Sequence, residues 1–348
     1  MLTKYANIAD FLKEEFLMKI LVAGGLGYIG THTSVALLEA GHTVIIIDNL
    51  SNSRIETLDK IKSITNKHVS FYQIDVTDEV AVNTIFNMHQ IDGVLHFAGF
   101  KAVGESVEKP IPYYYNNVVS TMILAKICKK RNVTRFIFSS SATVYGDNEV
   151  PFLESMELSL TTNPYGETKA MSERILTDIA NSDPNISISI LRYFNPVGAH
   201  ESGLIGEKPN GIPNNLMPYV TQVAKGKLEK LLVFGGDYPT ADGTGVRDYI
   251  HVMDLAEGHV AALENLTEGV HVYNLGTGKG TSVIELVKAF EEANDIEVPC
   301  EIVNRRPGDI ASCYADASKA KRELGWTAKR DIISMCQDAW RFEMNYQV

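Results

Sequence analysis

Cysteine is scarce and scattered in this chain: Cys128, Cys300, Cys313 and Cys336 are the four in 348 residues, and none stands at the paired spacing of a ligand set. That pattern fits a reducing compartment and argues against a structural zinc site. No apolar run is long enough to span a bilayer. A signal peptide is equally out of place, because Lys4, Asp10, Lys13, Glu14 and Glu15 interrupt the region that would have to be apolar. Cytoplasmic location is therefore expected, with no membrane contact. Basic residues are outnumbered, 32 Lys and Arg against 43 Asp and Glu, for a net charge of −11. This deficit argues against a nucleic-acid partner, since phosphate backbones select a basic face, and an anionic substrate would need locally clustered arginines. Low-complexity runs, internal repeats and flexible linkers are also missing. With 45% hydrophobic and 22% charged residues, the chain reads as globular, with one large or two coupled domains sharing an extensive interface.

The stretch Lys19-Ile-Leu-Val-Ala-Gly-Gly-Leu-Gly-Tyr-Ile-Gly30 is a run of buried-strand residues that stops in glycines and restarts as a helix. Gly24, Gly27 and Gly30 stand three residues apart before an apolar helical pattern of Val35, Leu37 and Leu38. Such glycines serve a tight turn, the approach of backbone to a pyrophosphate, and close packing of helix on strand. The free N–H groups of the helix start then favour an anion. Turns of this kind also occur without a ligand, and Asp48 favours the ligand reading. It ends a second apolar run, Val44 to Ile47, roughly twenty residues on, where an acid accepts hydrogen bonds from the adenosine ribose. Its charge would repel a 2′-phosphate, so NAD is expected rather than NADP.

Strand and helix patterns alternate: strand 19–23, helix 29–40, strand 43–47, helix 54–64, strand 69–74, helix 78–88, strand 93–97 and helix 110–131, then strand 135–139, helix 168–181 and strand 186–193. Alternation of this kind predicts the α/β class, a Rossmann-type doubly wound parallel sheet with helices on both faces. Ligands bind such sheets beyond the carboxyl ends of the strands. Asp75-Val76, Ala98-Gly99 and Ser139-Ser140-Ser141 all fall there. After residue 196 the pattern becomes irregular, which predicts a smaller mixed α/β substrate domain over 197–348 beside a dinucleotide-binding domain over 18–196, with some chain crossing between them. Residues 1–17 carry Ile8, Phe11, Leu12 and Phe16 on one face of a short amphipathic helix. The other reading is that Met18 is the natural start and the extension an upstream addition.

Tyr165-Gly-Glu-Thr-Lys169 puts a phenol and an ammonium one helical turn apart on one face. With 15 Tyr and 32 Lys and Arg, about one such pair arises by chance, so position is what counts. This pair opens the helix that follows a strand ending in three serines. A hydroxyl, a phenol and an ammonium can therefore meet at the sheet edge beside a nicotinamide. Lys169, with the positive ring of NAD⁺, is expected to lower the phenol pKa from ~10 towards neutrality, about 1.4 kcal/mol per unit. Tyr165 can then act as a general base. His96, His251 and His259 are read as packed or capping residues, and no metal is expected.

The glycine loop, Tyr165 with Lys169, and Ser141 resemble those of the extended short-chain dehydrogenase/reductases. Longer stretches resemble the UDP-glucose (UDP-galactose) 4-epimerase family within them: His96 to Ser106, Phe138 to Gly146, Leu191 to Ala199, Gly211 to Pro218 and Asp242 to Asp254. The resemblance runs from Lys19 almost to the end. It implies NAD contacts at Tyr28 and Ile29, at Asp48, Asn49, Leu50, Ser51, Asn52 and Ser53, and at Asp75 and Val76. Further contacts are implied at Phe97, Ala98, Gly99, Phe100 and Lys101, and at Asn116, Ser141, Tyr165, Lys169 and Phe194. For the UDP-sugar it implies Lys101, Ser141, Tyr165, Asn195, Asn215, Phe234, Arg247, Arg306 and Asp309, with Cys313 near the sugar. Two arginines suit a diphosphate, and Asp309 suits the uridine ribose.

The implied chemistry is transient oxidation at C4′. Tyr165, helped by Ser141, removes the hydroxyl proton, a 4-keto sugar turns over, and hydride returns to its other face. NAD is then a resident group, regenerated each turnover. A small residue at the Cys313 position accompanies acceptance of N-acetylated sugars in this family, and a bulky Tyr accompanies narrow specificity. Two alternatives stay open. A 4,6-dehydratase would carry an acidic pair directly after the catalytic Ser, where this chain has Ala142 and Thr143. A non-catalytic NAD sensor need not retain Tyr165 and Lys169. The family pattern also implies a homodimer through helices 110–131 and 168–181.

Overall fold

The strands expected in the first half all join one parallel sheet. The computed structural model describes residues 17–209, 211, 213, 215–306 and 308–345; the amphipathic reading of Ile8 to Phe16 lies outside them. The chain begins β1 (Lys19–Ala23), α1 (Tyr28–Glu39), β2 (Thr43–Asp48), α2 (Thr57–Thr65), β3 (Ser70–Gln73), α3 (Glu79–Met88) and β4 (Gly93–His96). There follow α4 (Val103–Glu108), α5 (Pro110–Tyr114), a π-helical turn (Tyr115–Val119), α6 (Ser120–Arg131), β5 (Arg135–Ser141), α7 (Pro164–Ser182) and β6 (Ser187–Tyr193). The second half runs β7 (Asn195–Val197), α8 (Leu216–Ala224), β8 (Leu231–Phe234), β9 (Val246–Arg247), β10 (Tyr249–His251), α9 (Val252–Glu264) and β11 (Val270–Leu275). It closes with β12 (Thr281–Ser282), α10 (Val283–Asn294), β13 (Cys300–Val303), β14 (Ser312–Cys313), α11 (Ser318–Leu324) and α12 (Ile332–Asn345). Among the described residues no helix is long and apolar enough to cross a membrane.

The main sheet has the order β11-β6-β5-β4-β1-β2-β3, and its pairings are parallel. The strand order reverses between β1 and β4, the point at which such sheets take ligands. Both faces are covered, which is why the strands read as unbroken apolar runs. Ile20, Val22, Val44 and Ile46 belong to one core cluster, while Leu21, Ala23, Ile45 and Ile47 belong to the other. Each Val, Leu or Ile among them contributes roughly 1.5–3 kcal/mol on burial. The edge strand β11 and the helix α9 come from beyond residue 197, and β11 pairs with β6 from Val270–Ile188 to Leu275–Tyr193. The second half has its own core around Met217, Val220, Leu286, Phe290 and Cys336.

Three expected elements differ in detail, each for a local reason. The helix expected at 168–181 starts at Pro164, because Asn163 Oδ1 accepts from Gly166 N at 2.9 Å and proline fits the first helical position. Tyr165 thus sits in the first turn. The strand expected at 135–139 runs on through Ser140 and Ser141, because Ser139, Ser140 and Ser141 are held in register opposite Leu191, Arg192 and Tyr193. The helix expected at 110–131 is interrupted by the π turn over Tyr115–Val119, a feature that often marks a functional position.

Candidate active site

The glycine loop joins β1 to α1 across the strand-order reversal. Gly24 has φ +77°, and a Cβ there would lie 2.6 Å from Ala98 N, so only glycine lets this turn pass the end of β4. A Cβ at Gly30 would lie 2.3 Å from Gly24 O, so this glycine serves packing of helix on loop. Gly27 differs: its Cβ would meet only Gly24 O at 3.4 Å. Gly27 is also the N-cap of α1, with no side-chain cap and no acidic residue in the first turn. The start of α1 is thus left without a side-chain cap, and the space beside Gly27 is clear, as an anion site requires.

Asp48 closes the loop from the neighbouring strand. Its carboxylate accepts from Leu26 N at 3.0 Å, Leu50 N at 2.9 Å and Ser53 Oγ at 2.7 Å. The residue expected to bind a ribose therefore also builds the turn around that position, with Leu50 held at φ +60°. Asn49 Nδ2 donates to Asp75 Oδ2 at 2.9 Å, and Asn49 Oδ1 accepts from Ser51 N. Val76 is buried below them. Asn52 is exposed at the tip of this loop. On the other side of the reversal, Phe97 N and Ala98 N both donate to Ala23 O, at 2.8 and 2.9 Å. These features fit a dinucleotide: an open anion-binding helix start, a carboxylate at the end of β2, and backbone pinned close by at Ala98 and Gly99.

At the carboxyl end of β5 the structure brings Ser141, Tyr165 and Lys169 together. Ser141 lies near enough to Tyr165 to pull its phenol pKa down, and its Oγ accepts from Thr143 Oγ1 at 3.0 Å. Lys169 is buried and donates from Nζ to Ser139 O at 2.7 Å. Burial pulls its pKa down to about 8, against the opposing charge of Glu173. Burial raises the Tyr165 pKa above the ordinary phenol value, and the groups pulling it down are the Ser141 hydrogen bond and the charge of Lys101. The sequence reading assigned a lowering to Lys169 together with the positive ring of NAD⁺; in the chain by itself burial dominates, and Lys101, brought in from the loop after β4, adds a charge that spacing along a helix does not show.

Several residues of this site carried no signal in the sequence. Glu207 Oε1 accepts from Lys101 Nζ at 2.8 Å and from Asn215 Nδ2 at 2.6 Å, joining two expected site residues. Burial alone would lower the Lys101 pKa; the Glu207 charge and hydrogen bond outweigh it and raise it. Asn117, beside the expected Asn116, is the buried one of the two. Its Oδ1 accepts from Phe100 N at 2.8 Å, and its Nδ2 donates to Phe100 O and Thr168 Oγ1, both at 3.0 Å. It thus ties the loop after β4 to the helix of Tyr165, while Asn116 Nδ2 donates to Asn117 Oδ1. Ser106 Oγ accepts from Tyr165 N at 3.2 Å. The π turn and the helix α4 that present these residues follow from tertiary packing. Tyr28, expected at the cofactor, donates from its hydroxyl to Gly198 O at 2.8 Å, which ties α1 to the second half.

The expected nucleotide-sugar residues fall into two groups. Cys313 pairs with Arg247 across β14 and β9 and packs against the cluster of Ala142, Tyr145 and Phe194 that lies beside Ser141. Burial pushes the Cys313 thiol up to about 12, so it is a neutral wall rather than a nucleophile. Asn195 is exposed just after β6, its N–H donating to Asp248 O. In the second group, the Arg306 guanidinium lies 4.6 Å from the centroid of the Phe234 ring and its Nε donates to Asp309 Oδ2 at 3.1 Å. The histidines have structural partners. His251 Nδ1 accepts from Met253 N at the start of α9 and Nε2 donates to Asp338. His96 Nε2 meets Thr121 Oγ1 at 3.1 Å, and His259 Nδ1 donates to Leu255 O at 2.8 Å.

The family model described as GDP-mannose 4,6 dehydratase matches residues 21–339. The UDP-glucose 4-epimerase of Pasteurella multocida (strain Pm70) is 59% identical over 329 residues, 94% of this chain and 97% of that protein. The crystal structure of UDP-glucose 4-epimerase from Bifidobacterium longum in complex with NAD+ and UDP superposes with a TM-score of 0.91 at 55% identity, covering 94% of this chain and 98% of that one. A UDP-Glc/GlcNAc 4-epimerase from Campylobacter jejuni superposes at 0.81 with 36% identity, covering 94% and 100%.

Proposed function

This chain belongs to the UDP-glucose 4-epimerase family, and on that footing we propose that it interconverts UDP-glucose and UDP-galactose with NAD as its resident cofactor. The observation that carries this is the meeting of Ser141, Tyr165 and Lys169 at the sheet edge next to an open anion-binding loop. Bound NAD⁺ supplies a hydride acceptor at C4′ and, once reduced, a hydride donor to the same carbon. The chain's own residues do the rest. Tyr165, as phenolate, takes the proton of the 4′-hydroxyl, and returns it when the carbonyl is reduced. Ser141 holds the hydroxyl in line. Lys101 and Lys169 are the two ammonium groups that offset the desolvation of the phenolate.

Arg247 and Arg306 hold the diphosphate with charge-assisted hydrogen bonds, and Phe234, Asp309, Asn195 and Asn215 place the rest of the nucleotide sugar. Anchoring the nucleotide while leaving the sugar loosely held is what lets the 4-keto ring turn over and take hydride on its other face. A dehydratase reading is less well supported, because the positions after Ser141 are the buried Ala142 and Thr143, whose hydroxyl is bonded back to Ser141. The small neutral Cys313 wall also favours acceptance of UDP-N-acetylglucosamine.

Residues 18–196 form the NAD-binding part and 197–348 the nucleotide-sugar part, with β11 and α9 crossing back. The protein works in the cytoplasm as a homodimer. Ile111, Tyr115 and Met122, exposed at 79%, 60% and 41%, supply the apolar face for the second copy. The test is conversion of UDP-galactose to UDP-glucose by purified protein without added NAD. Turnover without added cofactor is expected; a catalytically inert protein that still binds NAD would instead mark a sensor.

A further inference from the structure

A charged pair lies buried directly behind Lys169. Glu173 and Arg192 have side chains only 5% and 6% exposed. Arg192 Nε reaches Glu173 Oε1 at 3.0 Å and Nη2 reaches Oε2 at 2.6 Å, a two-pronged fork. Ser140 Oγ donates to the same Oε1, and the guanidinium carbon lies 4.8 Å from the centroid of the Tyr145 ring. Ser140 and Arg192 are register partners on β5 and β6, so the strands themselves set the donors that meet this carboxylate. Glu173 is also four residues beyond Lys169 on α7, the spacing at which helical ion pairs form. The Lys169 ammonium instead donates to Ser139 O and lies 5.0 Å from the Phe138 ring centroid.

We propose that Arg192 is a positioning residue: by occupying Glu173 it keeps that carboxylate off Lys169 and leaves the ammonium at the Tyr165 end of the helix. The inference rests on the reaction proposed above. Without the fork, Glu173 is left to Lys169, which already feels its charge, and pairing there neutralises the ammonium that the mechanism proposed above sets beside the Tyr165 phenolate. Other titratable groups around Lys169 are Tyr165 on its own helix, His96 from β4, Tyr193 from β6 beyond Ser139, and Lys101 from the loop after β4, the last held by Glu207. None of these is altered in the test.

Arg192→Met, Glu173→Gln and the double variant are prepared as full chains saturated with NAD, with folding checked by circular dichroism. The pH dependence of kcat is then measured with UDP-galactose. Phenolate is the active form, so activity rises with pH. In Arg192→Met this rising limb moves to higher pH by about one unit, with kcat at pH 7 down roughly tenfold. In the double variant no free carboxylate remains, and the limb returns to its wild-type position. A limb that stays in place in Arg192→Met, or that remains shifted in the double variant, overturns the role. If Arg192→Met does not fold, Arg192→Lys keeps a cation without the fork and is expected to shift the limb part of the way; superposition on wild type overturns the proposal. Wild-type protein without epimerase activity would remove the underlying reaction, whereas active wild type with an unshifted variant removes only the role of Arg192.

Discussion

Replacing Gly27 and Gly30 separately by alanine distinguishes a glycine kept for a ligand from one kept for packing. At Gly30 the new Cβ lies 2.3 Å from Gly24 O, well inside van der Waals contact, and the obstacle is backbone that has no rotamer to change. Relief requires a shift of loop against helix, and overpacking of this kind costs roughly 1–3 kcal/mol. At Gly27 the new Cβ meets a single atom at 3.4 Å, and the backbone at φ −69° and ψ 171° is one that alanine adopts freely. The protein without cofactor should lose nothing there, and it stands to gain about 0.4–1 kcal/mol from a stiffer unfolded chain. What Gly27→Ala fills is the clear space beside the uncapped start of α1.

The assay has two readings on each variant: thermal unfolding after cofactor is stripped, and NAD released on denaturing the protein as purified. Gly30→Ala should melt lower when stripped. Gly27→Ala should melt at or above wild type when stripped, yet carry little NAD and show little of the stabilisation that added NAD confers on wild type. Retention of a full complement of NAD by Gly27→Ala, or unfolding of its stripped form like that of Gly30→Ala, would refute the assignment of this space to the pyrophosphate.

Four further outcomes are expected. Tyr165→Phe should lower kcat by roughly 10²–10⁴-fold with bound NAD unchanged; full turnover would remove Tyr165 as the base. Cys313→Tyr should abolish activity on UDP-N-acetylglucosamine and spare UDP-glucose, and wild type that is inert on the first substrate would contradict the open-wall reading. Burial lowers the imidazole pKa values of His32 and His96 to about 3 and that of His259 to about 4. Each of the three therefore contributes stability that is complete above the unfolded value near 6.5 and is lost as pH falls towards the folded value, about 1.4 kcal/mol per pH unit apiece. The raised carboxyls of Glu154 and Asp248 oppose this lower down, so urea unfolding at pH 7.5 and 5.5 is the comparison, and equal midpoints would refute it. Ile111→Asp should shift the protein from dimer to monomer in sedimentation, and an unchanged mass would move the interface elsewhere.

Much of this protein can be read along the chain, because periodicity and turn chemistry are local. The runs at Ile20 to Val22 and Val44 to Ile47, the glycines at 24, 27 and 30, and the spacing of Tyr165 and Lys169 each depend on neighbours a few residues away. Together they dictate a doubly wound sheet, an anion site at its reversal and a base on the next edge. Helix starts and interruptions were less legible: the cap at Asn163 moves Tyr165 into a first turn, and the π turn at Tyr115 to Val119 brings Asn117 under Phe100. Only tertiary structure decided the electrostatics of the site. Glu207 reaches Lys101 across 106 residues, Arg192 takes Glu173 away from Lys169, and desolvation raises the Tyr165 phenol in the chain by itself. Desolvation and long-range charge depend on which segments the fold stacks around a group, and no local pattern records that.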